Sequence, residues 1–212
     1  MTEKNKNNDF SEPFTNSAGG MDLEKKEQKQ VKKPLQEYHT ANPNLTERFE
    51  FRSIRKSETE QAVLIEQICF PPNEACSEKS MKDRIIKAPE LFLVAVDRET
   101  DKIAGFLNGL ATNEAVFRDE FFTDEELHDP DGKNIMLLGL DVLPEYRRQG
   151  LGRELMYQYF RRERENGRRL VILTCLQSKV AMYQRMGFHD EGISNSSWGG
   201  EEWHEMSRAI GM

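Results

Sequence analysis

Residues 138–153 read Leu138-Gly-Leu-Asp-Val-Leu-Pro-Glu-Tyr-Arg-Arg-Gln-Gly-Leu-Gly-Arg153, and the rest of the chain is organised around this segment. An almost continuous apolar run from Ile135 to Leu143 ends at Pro144, which predicts a buried strand. After the glycines, apolar residues recur at helical spacing: Leu151, Leu155, Met156, Tyr159 and Phe160. The segment therefore predicts a strand, a glycine-rich loop and the start of a helix.

The glycine-rich loop has the features of an anion-binding site. A helix that begins at glycines presents unpaired backbone N–H groups and the positive end of its dipole, and glycine lets a phosphate approach the backbone closely. Arg147, Arg148 and Arg153 add positive charge on the same side. The loop has neither the spacing of a dinucleotide fingerprint nor the Gly-Lys-Ser/Thr of a P-loop. It predicts a site for a phosphorylated cofactor, with a plain glycine-capped turn as the alternative.

Two separated motifs resemble the GNAT superfamily of acyl-CoA-dependent N-acetyltransferases. They are the segment just described and Met182-Tyr-Gln-Arg-Met-Gly-Phe188. Within the superfamily the chain is most similar to the arylalkylamine (serotonin) N-acetyltransferase branch, over about residues 49–210, and the likeness extends to His189 and to Glu205-Met206. The resemblance implies an α/β (α+β) fold in which a mixed, twisted central sheet of about seven strands is flanked by helices.

Local patterns along the chain predict elements in the order β-α-α-β-β-β-α-β-α-β-β, which is also the order that the resemblance implies. Strands are predicted at residues 49–54, 91–96, 103–111, 135–143, 169–175, 188–193 and 202–209. The first helix has capping-box spacing at Ser57 to Glu60 and ends at Phe70-Pro71-Pro72, because proline bars helical geometry before it. The last two strands form a hairpin that turns near Gly199-Gly200.

Composition divides the 212 residues into a disordered polar tail, residues 1–45, and an N-acetyltransferase domain, residues 46–212. The tail is short of aliphatic residues, so it cannot bury enough surface to order itself. Its seven lysines balance seven acidic residues, and the domain therefore carries the whole net charge of −7. No basic face stands out, which argues against nucleic acid as a partner. An acidic domain suits a cationic amine better.

The connection Asn113–Lys133 concentrates that negative charge, with eight acidic residues against Arg118 and Lys133. Connections of this length are usually functional or disordered. One interpretation is a solvated surface loop. The other is a loop that attracts or gates a cationic substrate.

Cysteine usage and hydropathy indicate a cytoplasmic protein without a membrane partner. No apolar run approaches the roughly eighteen residues of a membrane span, and the start does not resemble a signal peptide. The three cysteines show no metal-ligand spacing, and an odd, sparse count suits a reducing compartment. We expect no metal, and a monomer or a homodimer.

The resemblance implies acetyl-CoA as the cosubstrate and assigns residues to it. Backbone groups near Leu140 and Val142 hold the thioester carbonyl and pantetheine, and the loop that Arg147 opens holds the pyrophosphate. The cofactor-binding residues predicted in this way are Leu140, Asp141, Val142, Arg147, Arg148, Gln149, Gly150, Leu151, Gly152 and Arg153.

Tyr183 falls where the family's thiolate-protonating tyrosine stands, which makes it the predicted catalytic acid. A phenol with a pKa of about 10 donates to a thiolate and stays protonated at neutral pH. The alternative is an amphipathic core residue on a helix whose neighbours Val180 and Met186 pack inward.

The general base is not predicted. The branch that the chain resembles carries a His-x-His pair on its central strand, and the aligned residues here, Met136 and Leu138, take no proton. Period-2 alternation points Asp141 to the opposite face of that strand. The remaining candidates lie on the predicted hairpin and in the acidic connection: Glu205, His204, His128 and Glu114.

The acceptor pocket is predicted from the segment after the first helix, which forms a mobile lid in the related family. Phe70, Pro71 and Pro72 offer an apolar wall or, alternatively, a rigid helix stop, and Met136 and Leu138 complete the predicted substrate residues. The predicted function is acetyl transfer from acetyl-CoA to a small primary amine by direct attack in a ternary complex. An aromatic amine is one option for this acceptor. A protein or peptide amine, or a non-catalytic acyl-CoA-binding module, are the alternatives.

Overall fold

The computed structural model describes residues 42–211. The predicted disordered tail lies outside the described residues, except for Asn42 to Leu45. The strands are β1 Phe49–Ser53, β2 Phe92–Asp97, β3 Lys102–Thr112, β4 Asn134–Val142, β5 Leu170–Leu176, β6 His189–Ile193 and β7 Trp203–Ala209. The helices are α1 Pro43–Arg48, α2 Thr59–Cys69, α3 Glu78–Lys87, α4 Leu151–Glu165 and α5 Gln177–Arg185. The predicted order is confirmed, with α1 added in front.

Contacts of Asn42 and Leu45 hold the added helix α1 to the domain. Asn42 caps it by accepting from the backbone N–H of Asn44 at 3.1 Å, and the Asn42 N–H donates to the Glu154 carboxylate at 3.1 Å. Leu45 is buried in the core. The sequence pattern gave no sign of this helix, because a six-residue helix with one buried side chain has no apolar stripe.

All seven strands form one mixed sheet in the order β1-β2-β3-β4-β5-β7-β6. The β4–β5 pair is parallel and the other pairs are antiparallel. The parallel pairing covers only Asn134 to Met136 against Leu170 to Ile172. Beyond that point β4 and β5 part, and residues of both strands line one cavity. The break in pairing opens the sheet at its centre.

Helices cover both faces of the sheet. Ala62 and Ile65 of α2 and Ile85 of α3 share a buried cluster with alternate residues of β2, such as Val94. The intervening β2 residues, such as Leu93, belong to a larger cluster that α4 and α5 complete. Period-2 alternation along a fully buried strand thus serves two separate cores.

A bulge in β4 decides which of its side chains face the cavity. Asn108 of β3 pairs with Gly139 and Gly109 pairs with Leu137, so Leu138 is an extra residue in the ladder. The extra residue reverses the alternation, and Met136 therefore shares a face with Asp141. This arrangement differs from the strict alternation expected from the sequence.

The acidic connection between β3 and β4 is folded onto the domain. Phe117 and Phe121 are fully buried, and the acids on its surface are partly paired. Arg118 binds Glu114 at 2.7 Å, and Lys87 of α3 binds Glu126 at 2.7 Å. The interpretation as a solvated surface loop does not account for these buried aromatic residues.

Candidate active site

A cavity of about 870 Å³ lies where β4 and β5 part. Its lining includes the divergent strand ends, the loop before α4, the segment between α2 and α3, helix α5, and the connection between β6 and β7. The cavity therefore joins the predicted cofactor loop to the predicted acceptor side.

The loop before α4 adopts the backbone geometry of an anion site. Gly150, the N-cap residue, has φ 90°, and Arg148 has φ 61°. This left-handed geometry is costly for a non-glycine residue. No side chain among the described residues caps α4, so its first-turn N–H groups remain available for a ligand. With Arg148 and Arg153 lining the same cavity, the loop fits a pyrophosphate group.

Eight of the ten predicted cofactor residues line the cavity: Leu140, Val142, Arg147, Arg148, Gly150, Leu151, Gly152 and Arg153. Arg147 is also tied to the strand end, since its Nε donates to the Val142 carbonyl at 2.7 Å. Two predicted residues lie elsewhere. Gln149 is exposed and donates to the Glu145 carbonyl at 2.9 Å, and the Asp141 side chain is fully buried on the other face of β4.

Tyr183 of α5 lines the cavity opposite the loop, beside Cys175 and Met186. Its ring meets Phe188 edge-on with centroids 5.5 Å apart, and its hydroxyl forms no hydrogen bond to any described residue. Burial raises the pKa of Tyr183 above its usual value, with the neighbouring Cys175 and Asp141 adding to the effect. The phenol is therefore neutral at pH 7 and available as a donor.

The acceptor side of the cavity is largely aromatic. Phe70, Pro71 and Leu138 line it as predicted, whereas Pro72 is exposed outside the lining and Met136 is fully buried in the core. The bulge in β4 explains why Met136 does not line the cavity, because it turns that side chain away from the face of Leu140. The sequence analysis missed the other apolar lining residues on this side: Phe122, Trp198 and Trp203.

The two tryptophans and the α2–α3 segment form a roof over this side. Trp198 stacks on Phe122 with centroids 4.8 Å apart, and its indole N–H donates to the Glu74 carbonyl at 2.9 Å. Asn73 donates through its side-chain amide to the Gly199 carbonyl at 2.8 Å. The predicted lid is thus hydrogen-bonded to the β6–β7 connection. Both tryptophans of the chain flank the predicted Gly-Gly turn, a signal that could have placed them here.

A buried polar cluster forms the floor of the cavity beneath Gly139. Glu66 of α2, Arg84 of α3, Asn108 of β3 and Asp141 of β4 are each at most 5% exposed. Glu66 and Arg84 also line the cavity. Arg84 donates to the Phe122 carbonyl at 2.7 Å and to the Asn108 side chain at 3.4 Å. The sequence signal for this cluster was an acid, Glu66, inside the apolar stripe of α2.

Each of the four base candidates from the sequence is held by other contacts and lies outside the cavity lining. Glu205 accepts from the Phe117 N–H at 2.9 Å, and Glu114 binds Arg118. His204 is 3.0 Å from Asp190 across the β6–β7 pair. Nδ1 of His128 accepts from the Ala111 N–H at 3.2 Å, and its Nε2 is 3.1 Å from Glu90.

No helix in residues 42–211 is long and apolar enough to cross a membrane. No group of three or more His, Cys, Asp or Glu side chains in that range is arranged to hold a metal ion.

The Acetyltransferase (GNAT) family model matches residues 53–188, well over half of the chain, and the chain belongs to that family. No curated protein matches it. The fold is similar to that of the GphF GNAT-like decarboxylase in complex with isobutyryl-CoA, with TM-score 0.63 and 19% identity over 76% of this chain and 99% of that one.

Two acetyltransferases share the fold. The ribosomal-protein-S18-alanine N-acetyltransferase from Escherichia coli has TM-score 0.57 and 21% identity over 77% of this chain and 95% of that one. The phosphinothricin acetyltransferase from Sinorhizobium meliloti in complex with AcCoA has TM-score 0.55 and 17% identity over 77% and 89%. None of the three structures is named as an arylalkylamine N-acetyltransferase, and the narrower likeness stays a prediction.

Proposed function

We propose that this GNAT-family protein transfers the acetyl group of acetyl-CoA to a primary amine, by direct attack within a ternary complex. The observation that carries the proposal is that one cavity joins the loop before α4, the open ends of β4 and β5, and Tyr183. Binding of acyl-CoA by similar structures supports the choice of cosubstrate.

Acetyl-CoA fits the cavity in two respects. The N–H groups at the start of α4, with Arg148 and Arg153, match the pyrophosphate. The gap between β4 and β5 leaves backbone groups of Leu138 and Leu140 without a β5 partner, and such groups suit the pantetheine and the thioester carbonyl. A backbone N–H at that position stabilises the oxyanion as it develops.

Tyr183 is the proposed acid for the departing thiolate. It stands on the α5 side of the cleft beside Cys175, and its raised pKa keeps its proton in place until the thiolate forms. Cys175 is not proposed as a nucleophile. Burial raises the pKa of its thiol to about 12, so little thiolate exists at neutral pH.

The acceptor is proposed to be a small amine, with an aromatic or apolar body. The wall formed by Phe70, Phe122 and Trp198 supports an apolar body, and Glu66 on the floor supports a cationic head group. A protein or peptide amine is the alternative acceptor, because a roof made of loops could admit a chain terminus. A non-catalytic acyl-CoA-binding module is the further alternative.

The test is release of CoA thiol from acetyl-CoA with a panel of acceptors at pH 6 to 9: phenethylamine-type amines, polyamines, aminoglycosides and short peptides. We expect turnover with amines that carry an apolar body, and a rise in their KM when Trp198 is replaced by alanine. Turnover with peptides alone would move the proposal to a protein acceptor. Binding of acetyl-CoA with no turnover on any amine would favour the non-catalytic module.

A further inference from the structure

The polar cluster under Gly139 contains an acid that is placed to receive a proton from the acceptor. Glu66 is 5% exposed, lines the cavity and lies on the sheet-facing side of α2. Its Oε1 accepts from the Cys76 N–H at 2.9 Å, which fixes the carboxylate. Its Oε2 has no hydrogen-bond partner among residues 42–211. One oxygen is therefore anchored, and the other is a buried acceptor without a hydrogen-bond partner among the described residues.

Gly139 brings this free oxygen close to the central strand. A Cβ at Gly139 would lie 3.8 Å from Glu66 Oε2, 3.1 Å from Asp141 Oδ2 and 2.9 Å from Asn108 Nδ2. A Cβ would crowd Asn108 and Asp141, whereas its distance to Glu66 is an ordinary contact, so the glycine leaves room for the polar groups to converge. Gly139 directly precedes Leu140, where the proposed function places the thioester. The free oxygen thus lies near the site of attack.

We propose that Glu66 is the general base, accepting through Oε2 the proton that the acceptor's ammonium group loses. The proposal rests on the proposed function, because it needs an amine that attacks acetyl-CoA in this cavity. It also supplies the base that the central strand lacks, since Met136 and Leu138 carry no proton acceptor.

Asp141 is the second carboxyl of the cluster and takes a different role. It is fully buried, and neither of its oxygens has a hydrogen-bond partner among the described residues. Burial raises the pKa of Asp141 well above its usual value, and the charge of Glu66 raises it further. Both effects favour the protonated form of Asp141, so we assign the ionising role to Glu66.

The other charged and titratable groups around the pair favour this division. Burial also raises the pKa of Glu66, and the positive charge of Arg84 and the anchoring Cys76 N–H oppose that rise. The positive charges of Arg84 and Arg147 also oppose the rise in the pKa of Asp141. The pKa values of Cys69 and Cys76 are raised to about 11 and about 12, chiefly by burial. Both thiols are neutral at pH 7, and Glu125 adds a negative charge near Cys76.

Glu66 and Tyr183 together account for every proton that moves in the proposed reaction. The ammonium nitrogen loses its first proton to Glu66, and its freed lone pair attacks the thioester carbon. The C–S bond then breaks with its electron pair on sulfur, and Tyr183 gives its proton to that sulfur. The second proton of the nitrogen returns to Tyr183 through solvent, and Glu66 releases the first to solvent. The products are the amide, CoA thiol and one proton.

The experiment measures kcat/KM against pH for wild type, Glu66→Gln and, as a matched control, Glu60→Gln on the exposed side of α2. We expect Glu66→Gln to lower kcat/KM about 10²-fold at pH 7, at the lower end of general-base contributions. The deficit should shrink towards the pKa of the acceptor, because free amine needs no base. The acetyl-CoA KM and the control should be unchanged. An equal deficit at every pH would mark a structural role and overturn the proposal.

A wild-type measurement decides if Glu66→Gln does not fold. The pH dependence of kcat/KM would be measured with two acceptors of different basicity. For both acceptors we expect kcat/KM to decrease on the acid side at the same pH, because that decrease reports protonation of Glu66. This pH should lie above the usual range of a glutamate pKa. Activity is then lost as pH drops through this value. A decrease that follows the pKa of each acceptor would exclude an enzymic base. If wild type acetylates no amine at all, the proposed function fails instead.

Discussion

At the scale of single residues, Tyr183 is central to the proposed reaction. Tyr183 lines the cavity, its hydroxyl has no hydrogen-bond partner among the described residues, and burial raises its pKa. A core tyrosine would instead bond its hydroxyl to the backbone, as Tyr159 does to the Leu91 carbonyl at 3.2 Å. The difference between these two tyrosines favours a chemical role for Tyr183.

Tyr183→Phe should lower kcat about 10²-fold and leave the affinity for acetyl-CoA unchanged, because phenylalanine keeps the packing against Phe188 but has no proton to give. The measurement is steady-state CoA release together with acetyl-CoA binding by calorimetry. Tyr157→Phe, a half-buried tyrosine of α4 outside the cavity lining, is the control. An unchanged kcat would remove the acid role.

The sequence predicted residues well where a local pattern carried the information. Tyr183, Arg148 and Leu140, which the motif singled out, all line the cavity. The motif misplaced Met136, because a one-residue bulge at Leu138 depends on pairing with β3 and leaves no mark in the apolar run. It also overlooked Glu66, whose importance arises from groups on three other elements.

At the scale of elements, the start of α4 is the decisive junction. The left-handed backbone at Arg148 and Gly150 turns the chain from β4 into the helix. The first-turn N–H groups and the arginine side chains therefore lie at the same side of the cavity. The glycine pattern predicted this junction because its conformational demand is local. The roof was less predictable, since Trp198 meets Glu74 across a large sequence separation.

Arg148→Ala should raise the Kd for CoA about tenfold, equivalent to about 1.4 kcal/mol, because it removes a charge-assisted contact to phosphate. Alanine faces the same left-handed backbone strain as arginine, so the loop geometry is retained. Arg164→Ala, exposed in the last turn of α4, should leave the Kd unchanged. Equal affinities for all three proteins would refute the pyrophosphate assignment.

At the scale of the whole molecule, the order of the elements along the chain follows from local patterns, whereas the cavity does not. The opening between β4 and β5 requires that their pairing stop after Met136 and Ile172. No apolar periodicity encodes that stop, because both strands remain apolar beyond it. The contact of α1 with the domain was unpredicted for a similar reason: Leu45 is a single apolar residue in a polar stretch.

A chain that begins at residue 49 should be less stable than one that begins at residue 42, by about 2 kcal/mol. The longer chain keeps the buried Leu45 and the bond from Asn42 to Glu154. Urea unfolding at pH 7 measures the difference. The chain from residue 42 with Glu47→Ala, an exposed position on the same helix, controls for the helix itself. Equal midpoints for the two lengths would show that α1 does not contribute to the stability of the domain.

The measurement that tests the central claim most directly is the stoichiometry of the wild-type reaction with labelled acetyl-CoA. Mass spectrometry of the acceptor and titration of the free thiol would be read from the same sample. We predict one N-acetylated amine for each CoA released, with no acetyl group left on the protein. Release of CoA without an acetylated amine, or a labelled protein that forms in place of one, would contradict the account.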